Sequence, residues 1–540
     1  MKNVLLLHTD QYYLVRQVYP YGLDLVARHL RRNGYGAEIA VPLLPDQDLE
    51  VNLASLLART KPCAIGLGLR NLDTAMACER FGDHEGPGFR TFFFPPGVRR
   101  MVEILKRLAP ETPLVLGGCG FTVAPAAVLE YLDLEFGIAG EGEEPLLRFL
   151  QAHPNRDALA SVPNLAWRRD GRTTIAPRAA YDFTDRDETR DPGFAHAFET
   201  TGVPVRTRRG CNRACSYCVE PLIEGRTYRF RDPFAVVQEI QALAQGRQRV
   251  AKIFFADTEF NLPDLKHATE LLQGILKAGL HDRFRFVTQC SPKPLDRDFA
   301  QLAAEAGLSL IMSCESFDNQ VLEANGMDYR SDDIVAALEI CEEAGLDVTV
   351  NLIFGLPGET WGSVDRTVGE MLRLGQTGTR RFEYTVGGRI YPGTPLHRHA
   401  ARPEAAPFLH GPADPALLAP SFYCAPAPPL ELKAAIDSRL PFAMEFLNRV
   451  DPARQSALAL GYLADRREWD AAAAGFAAAP LQVQAEMFDY LFRTMAAAGN
   501  TDGARRLCGS LLEALDAHGD DPAYSGQLGL ARFYASLLPS

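Results

Sequence analysis

The chain runs through the same alternation twice: short apolar runs separated by amphipathic stretches of helical period, first in residues 1–150 and again from residue 203 to about 390. Such alternation commits a chain to parallel strands covered by helices, because each parallel connection needs a helix-length return. In the first stretch the runs 3–8, 37–41, 64–69, 114–116 and 136–139 predict the strands of a doubly wound parallel sheet, with helices over 21–33, 96–108 and 128–132. In the second, strand-like runs at 203–207, 252–255, 284–288, 309–313, 348–354 and 382–390 alternate with helical stretches at 234–244, 265–278, 298–306 and 334–344. Six strand-helix repeats fit a partial (β/α)6 TIM-like barrel, with functional groups at the carboxyl ends of its strands.

Between the two lies a Pro-, Asp-, Arg- and Thr-rich segment, 151–200, which reads as a linker with a small hairpin at 167–172. After a barrel spanning 201–398, residues 400–430 are Pro- and Ala-rich and are expected to be irregular. The rest of the 399–540 domain should be mainly helical. Like sequences at Arg467–Ala473 and Gly499–Arg505 suggest paired helices, serving as a cap over the barrel, a partner surface or a packing domain.

Composition narrows the class. A net charge of -12 argues against nucleic acid as partner. The arginines of 206–209 and 226–231 suit either local anion sites or structural pairing, and the second is favoured. The first apolar run is too short for a signal peptide, and no stretch approaches membrane-spanning length. Eleven cysteines without an export signal suggest a reducing cytoplasmic setting. A monomer is expected.

Three of those cysteines stand together. The run Arg208-Arg209-Gly210-Cys211-Asn212-Arg213-Ala214-Cys215-Ser216-Tyr217-Cys218 places them as C-x3-C-x2-C at the end of the first predicted barrel strand. Three thiolates on one loop can hold an iron-sulfur cube and leave one iron open. Zinc is the rival, but a structural zinc site needs a fourth ligand, and no second cysteine pair follows.

The spacing, with Tyr217 before the last cysteine, resembles the cluster loop of radical S-adenosylmethionine (SAM) enzymes. The resemblance implies a [4Fe-4S] cluster on Cys211, Cys215 and Cys218, with SAM on the open iron and Tyr217 beside its adenine. It also assigns the strand ends: Asp257, Glu259 and Asn261 near the SAM amino group, and Gln289, Ser291, Glu315 and Ser316 toward the ribose and carboxylate. Asn351 and Phe354, with Glu359 just beyond, fall in the stretch against which adenine packs. Helix capping and turn formation are the alternative roles for each of these polar groups.

The first 150 residues resemble the cobalamin-binding domain that precedes the cluster loop in one subgroup of that superfamily. The landmarks are Pro20-x-Gly22-Leu23, Gly68-Leu69-Arg70-Asn71-Leu72-Asp73, Gly117-Gly118 and Gly140-Glu141-Gly142-Glu143. Ligands of such sheets sit over the carboxyl ends of the strands. The cobalamin contacts implied are therefore Thr9, Asp10 and Gln11; Leu69, Arg70 and Asn71; Gly117, Gly118 and Cys119; and Gly140, Glu141 and Gly142. A dinucleotide is a weaker candidate, since G-x-G-x-x-G is missing from the first turn. So is the D-x-H-x-x-G signature, which implies cobalamin without a protein histidine on cobalt. Arg70 has two candidate roles, a guanidinium beneath the cobalt or a salt bridge.

Together the resemblances imply a B12-dependent radical SAM methyltransferase. The methyl group passes from SAM through methylcobalamin to a carbon of a small molecule, either by a deoxyadenosyl radical or, for a nucleophilic substrate such as an indole, by polar transfer. Arg70 inclines the choice toward a tryptophan-methylase-like variant. The resemblance also implies an external electron donor of the flavodoxin or ferredoxin kind as a partner. The alternative functions are ring contraction or cyclisation in place of methylation, and a cobalamin-sensing or binding role.

Overall fold

The computed structural model describes residues 2–10, 18–45, 47–79, 84–86, 88–181, 190–245, 250–441, 444–445, 452–518 and 522–538. Gln11 lies outside them.

The first sheet has the strand order Gly36–Ala40, Asn3–His8, Ala64–Gly68, Leu114–Gly117, Phe136–Ile138, Leu165–Arg169 and Arg172–Ile175. The first five strands are parallel, and the order reverses between Asn3–His8 and Ala64–Gly68. Alternate residues enter two different cores: Val4, Leu6 and Ile39 pack on one face, Leu5, Leu7 and Ile65 on the other. This explains the unbroken apolar runs, because a strand buried on both faces has no polar side.

The hairpin expected within the linker is present at Leu165–Ile175, but it is not linker. Its first strand pairs antiparallel with Phe136–Ile138 and extends the first sheet. The unit thus runs beyond residue 150, a pairing that the local turn signal at 167–172 could not disclose.

The second sheet is parallel throughout and keeps chain order: Val203–Val205, Lys252–Phe255, Arg285–Cys290, Leu308–Glu315, Val348–Phe354, Arg380–Val386 and Met444–Glu445. Its strands alternate. Val348, Val350, Leu352 and Phe354 are buried under helices, while Thr349, Asn351 and Ile353 are only half-buried on the opposite face. The closing strand Met444–Glu445 comes from the segment expected to be helical, and it was too short to leave a periodic signal. Residues 400–430 are not wholly irregular either: Leu409–His410 and Phe422–Tyr423 form a small antiparallel sheet with Gly388–Arg389.

The tail folds into the helices Pro452–Asp465, Trp469–Ala478, Leu481–Ala497, Thr501–His518 and Ser525–Leu537. It docks on the edge strand of the first sheet. Tyr462 Oη accepts from Val41 N at 3.0 Å, and an Arg466 guanidinium nitrogen donates to Ile39 O at 3.0 Å. Asp465 accepts from His196 N at 2.8 Å and lies 2.7 Å from its Nδ1. Of the roles considered for the tail, these contacts show packing, and they shield an edge that would otherwise present unpaired backbone groups. Among the described residues no helix is long and apolar enough to cross a membrane.

Candidate cofactor and active site

The carboxyl ends of the first sheet and the start of the second meet around a cavity of about 340 Å³. Leu6, Val115 and Ile138 line its floor, Leu23 and Val26 of helix Tyr21–Arg32 one wall, and Pro204, Arg206, Arg209 and Phe254 of the second unit another. That size and apolar lining suit an organic ligand.

Glycine makes the rim. Gly118 has φ +101°, and a Cβ there would lie 2.3 Å from Leu69 O; a Cβ at Gly120 would meet the Asn71 backbone at 2.8 Å. The two loops therefore touch backbone to backbone, joined by Gly120 N donating to Arg70 O at 2.8 Å. The cradle can exist only where both residues lack a side chain.

Of the expected cobalamin contacts, Arg70, Gly117, Gly118, Cys119, Gly140, Glu141 and Gly142 do line this cavity. Arg70 also makes the salt bridge, 3.3 Å from Asp10 Oδ2. Thr9 and Leu69 are structural instead: Thr9 Oγ1 donates to Gly68 O at 3.1 Å, and the Leu69 side chain belongs to the core. Cys119 is exposed at the cavity, yet the protein packed around it limits its solvation and raises the thiol to about 11, so it stays protonated near neutrality.

His8 was missed. It ends the first strand on the same face as Leu6, lines the cavity, and sits 3.6 Å from Asp10. Burial lowers its pKa, against the pull of Asp10, and favours the neutral ring. Strand parity with Leu6 was the available signal. Arg206 and Arg209 escaped for a different reason, since nothing local shows that a second unit closes the cavity.

Four arginines of these runs prove to be pairing residues, while Arg208 and Arg226 donate to the backbone carbonyls of Leu262 and Arg213. Arg209 lies 2.6 Å from Glu143 and 3.1 Å from Glu141, Arg229 pairs with Glu141, Arg206 with Glu224, and Arg231 with Glu239. Buried charge persists where it is matched in this way.

The cysteines follow on the same loop, Cys211 buried and Cys215 and Cys218 half-buried. Burial pushes all three thiols upward, and neighbouring acids and thiols add to it, Glu315 and Cys218 at Cys215 and Glu220 and Cys211 at Cys218, so a metal would be needed to hold them as thiolates. Among the described residues no three His, Cys, Asp or Glu side chains gather around one ion position. A cube does not require it, because its thiolates sit on separate irons.

Around the loop, the expected SAM contacts divide into two groups. Both oxygens of Asp257 are taken by the loop leading to the cluster, accepting from Thr207 N at 2.9 Å, Arg208 N at 3.2 Å and Thr207 Oγ1 at 2.5 Å. Asn261 ties two strand ends by bonds to Ser291, and Ser316 caps the turn at Asp318. Glu359 accepts from Gly355 N and Ser363 Oγ, and Phe354 packs edge-on against Tyr384 in the core. For these residues the capping or core role is the observed one. Ser291 Oγ accepts from Arg213 at 2.8 Å.

The other group faces open space. Gln289 is exposed on the uncovered face of the second sheet, and Asn351 Oδ1 is buried there without a partner. Glu259 Oε2 is likewise buried and unpartnered, and burial drives its carboxyl up to about 8. An orphaned carboxyl oxygen beside three thiols, protonated near neutrality unless a cation offsets its burial, fits a site that receives a cationic group. Tyr217 Oη donates to Glu315 Oε1 at 2.5 Å, and Tyr329 donates to the same carboxylate, so the ring of the cluster-loop tyrosine is anchored to the end of the fourth strand.

The family model for the radical SAM superfamily matches residues 205–371, the stretch that holds the cysteines and four of the strand ends just described. The chain carries a radical SAM domain. Around that domain the likeness extends further. A tryptophan 2-C-methyltransferase of Streptomyces laurentii is 27% identical over 440 residues, 69% of this chain and 70% of the relative. The solved radical S-adenosylmethionine methyltransferase TsrM of Kitasatospora setae, with cobalamin and a [4Fe-4S] cluster bound, superposes with a TM-score of 0.71 at 24% identity, over 86% of this chain and 96% of that one. The cobalamin-dependent radical enzyme OxsB, with aqua-cobalamin bound, superposes with a TM-score of 0.63 at 13% identity, over 94% and 72% of the two chains. The fold beyond the radical SAM domain is thus shared by proteins solved with cobalamin.

Proposed function

We propose that this protein is a cobalamin-dependent radical SAM C-methyltransferase acting on a small molecule, with an aromatic amino acid such as tryptophan as the first candidate. The observation that carries the proposal is the joint itself: a C-x3-C-x2-C loop and a glycine-rimmed cavity face each other across buried ion pairs. The tryptophan methyltransferase that aligns over most of both chains supports it. On this reading the first unit is a Rossmann-like cobalamin domain and the second a partial (β/α)6 barrel.

When bound, SAM would supply the methyl group, cobalamin would carry it, and the cluster would offer an open iron. Cys211, Cys215 and Cys218 would hold the cluster. The orphan oxygen of Glu259 would receive the SAM ammonium, Gln289 and Asn351 would offer polar contacts from the open face, and Tyr217, fixed by Glu315, would present its ring. The glycine loops would let a corrin approach the backbone closely. Arg70, held by Asp10, would offer it a guanidinium, which has no lone pair to donate. That feature favours polar transfer to a nucleophilic carbon over a radical route. The walls from both units exclude water from the reacting groups.

Incubating the anaerobically reconstituted protein with methyl-labelled SAM and tryptophan tests the proposal. Label is expected on a product carbon, with far less than one deoxyadenosine per turnover. Unlabelled product would overturn methyl transfer, and stoichiometric deoxyadenosine would move the mechanism to the radical route. The Cys211→Ala variant should lose the activity altogether, and turnover without the cluster would defeat the proposal.

A further inference from the structure

We infer that Arg209 is a positioning residue that couples filling of the cofactor cavity to the order of the cluster loop. The inference rests on the function proposed above and adds to it how two cofactor sites in different units sense one another.

Arg209 stands two residues before Cys211. Its side chain is 3% exposed and lies 2.6 Å from Glu143 Oε1 and 3.1 Å from Glu141 Oε2. Glu141 lies in the loop that follows the fifth strand of the first sheet and Glu143 opens the helix Glu143–Ala152 after it, and both line the cavity, as does Arg209. Glu141 is held in turn by Arg229 and by Tyr181 N at 2.5 Å. Arg229 sits opposite Arg209 in the two-residue ladder Arg208–Arg209 with Arg229–Phe230, from which the cluster loop departs. Beyond the ladder, Gly210 N donates to Glu224 at 3.0 Å and Cys211 N to Gly225 O at 3.0 Å. The backbone entering the first cysteine is therefore fastened to groups that form the cavity wall.

Filling the cavity changes the setting of these charges. The pairs are already largely buried, with Glu141 11% and Glu143 6% exposed, and what exposure they keep is toward the cavity they line; a bulky ligand removes that remaining water and strengthens each pair further. Breaking a pair that is both buried and desolvated is costly. The loop carrying Cys211 should thus be better ordered when the cavity is full. By linkage, a loop fixed by its cluster should bind the cavity ligand more tightly by the same factor.

The test uses the full chain, anaerobically reconstituted, with and without hydroxocobalamin. The rate at which a chelator strips iron from the cluster is the readout. Cobalamin should slow iron loss in the unmodified protein by about 5- to 150-fold, and cluster-loaded protein should bind hydroxocobalamin more tightly than cluster-free protein by a matching ratio. Arg209→Gln and Glu143→Gln should bring both ratios close to one, with Arg209→Lys between. A purely structural contact would speed iron loss equally with and without cobalamin and leave the ratio unchanged, which would overturn the inference. If Arg209→Gln does not fold, Glu143→Gln makes the same comparison, and a ratio of one in the unmodified protein overturns the inference on its own. A protein that takes up no cobalamin would instead refute the proposed function, a result its visible spectrum distinguishes.

Discussion

The two sheets of this protein are built from the same alternation yet treat their faces differently. In the first, both faces are core: Ile39 and Ile65 are each fully buried, on opposite sides. In the second, Leu310 is buried while its neighbour Ile311 is only half-buried on the uncovered face. A sheet closed on both sides can bind only above its strand ends, where glycine loops make room. A sheet open on one side can also present its strand residues to a ligand, and on that face Gln289 is exposed and Asn351 Oδ1 has no partner. On the proposed function the difference gives the two units complementary tasks, one cradling from the edge and the other enclosing.

Alanine scanning of the faces is the most direct way to break that comparison. Ile39→Ala, Ile65→Ala and Leu310→Ala should each cost about 2–5 kcal/mol of stability, whereas Ile311→Ala should cost less than about 1 kcal/mol, measured by denaturant unfolding. An equal penalty at Ile311 would show that its face is packed. Gly118→Ala comes next, at about 1–3 kcal/mol, because its positive φ and the 2.3 Å approach to Leu69 O leave no room. Cobalamin uptake should fall with it, and unaltered binding would remove the loop contact from the argument.

The smallest effect is a pH slope. Burial raises the Glu359 carboxyl from its ordinary 4.5 to about 7. Between those values the folded chain holds a proton that the unfolded chain has released, so its contribution is complete below the unfolded pKa and stability falls as pH rises through about 7. Glu359→Gln should flatten the stability profile between pH 5 and 7, and an unchanged slope would place the titration elsewhere. This group is buried in the turn between strand Val348–Phe354 and helix Trp361–Leu374, held by Gly355 N and Ser363 Oγ, so the slope also reports how firmly that turn is closed.

Much of this was legible locally. The runs 3–8, 252–255 and 348–354 coincide with observed strands residue for residue, because strand periodicity is a short-range property. The cysteine triplet and the glycine pairs are likewise contiguous. What stayed hidden joins distant positions. Asp73 and Arg389, 2.8 Å apart and almost wholly buried, tie the Arg70 loop to the second unit across 316 residues. The Leu165–Ile175 hairpin looked like a linker because its pairing partner lies outside it. Phe354 looked like a ligand contact because its position in a motif took precedence over its strand parity, and parity sends it to the core.

Sequence alone determined the elements, the three-thiol loop and the glycines that must bend after particular strands, since each depends on neighbours a few residues away. Only the tertiary structure decided that Arg209 meets Glu143, that Asp257 caps a loop while Glu259 keeps an unpartnered oxygen, and that the tail covers a sheet edge. Charge pairing and burial are settled by which surfaces come together, and one-dimensional pattern carries no record of that choice.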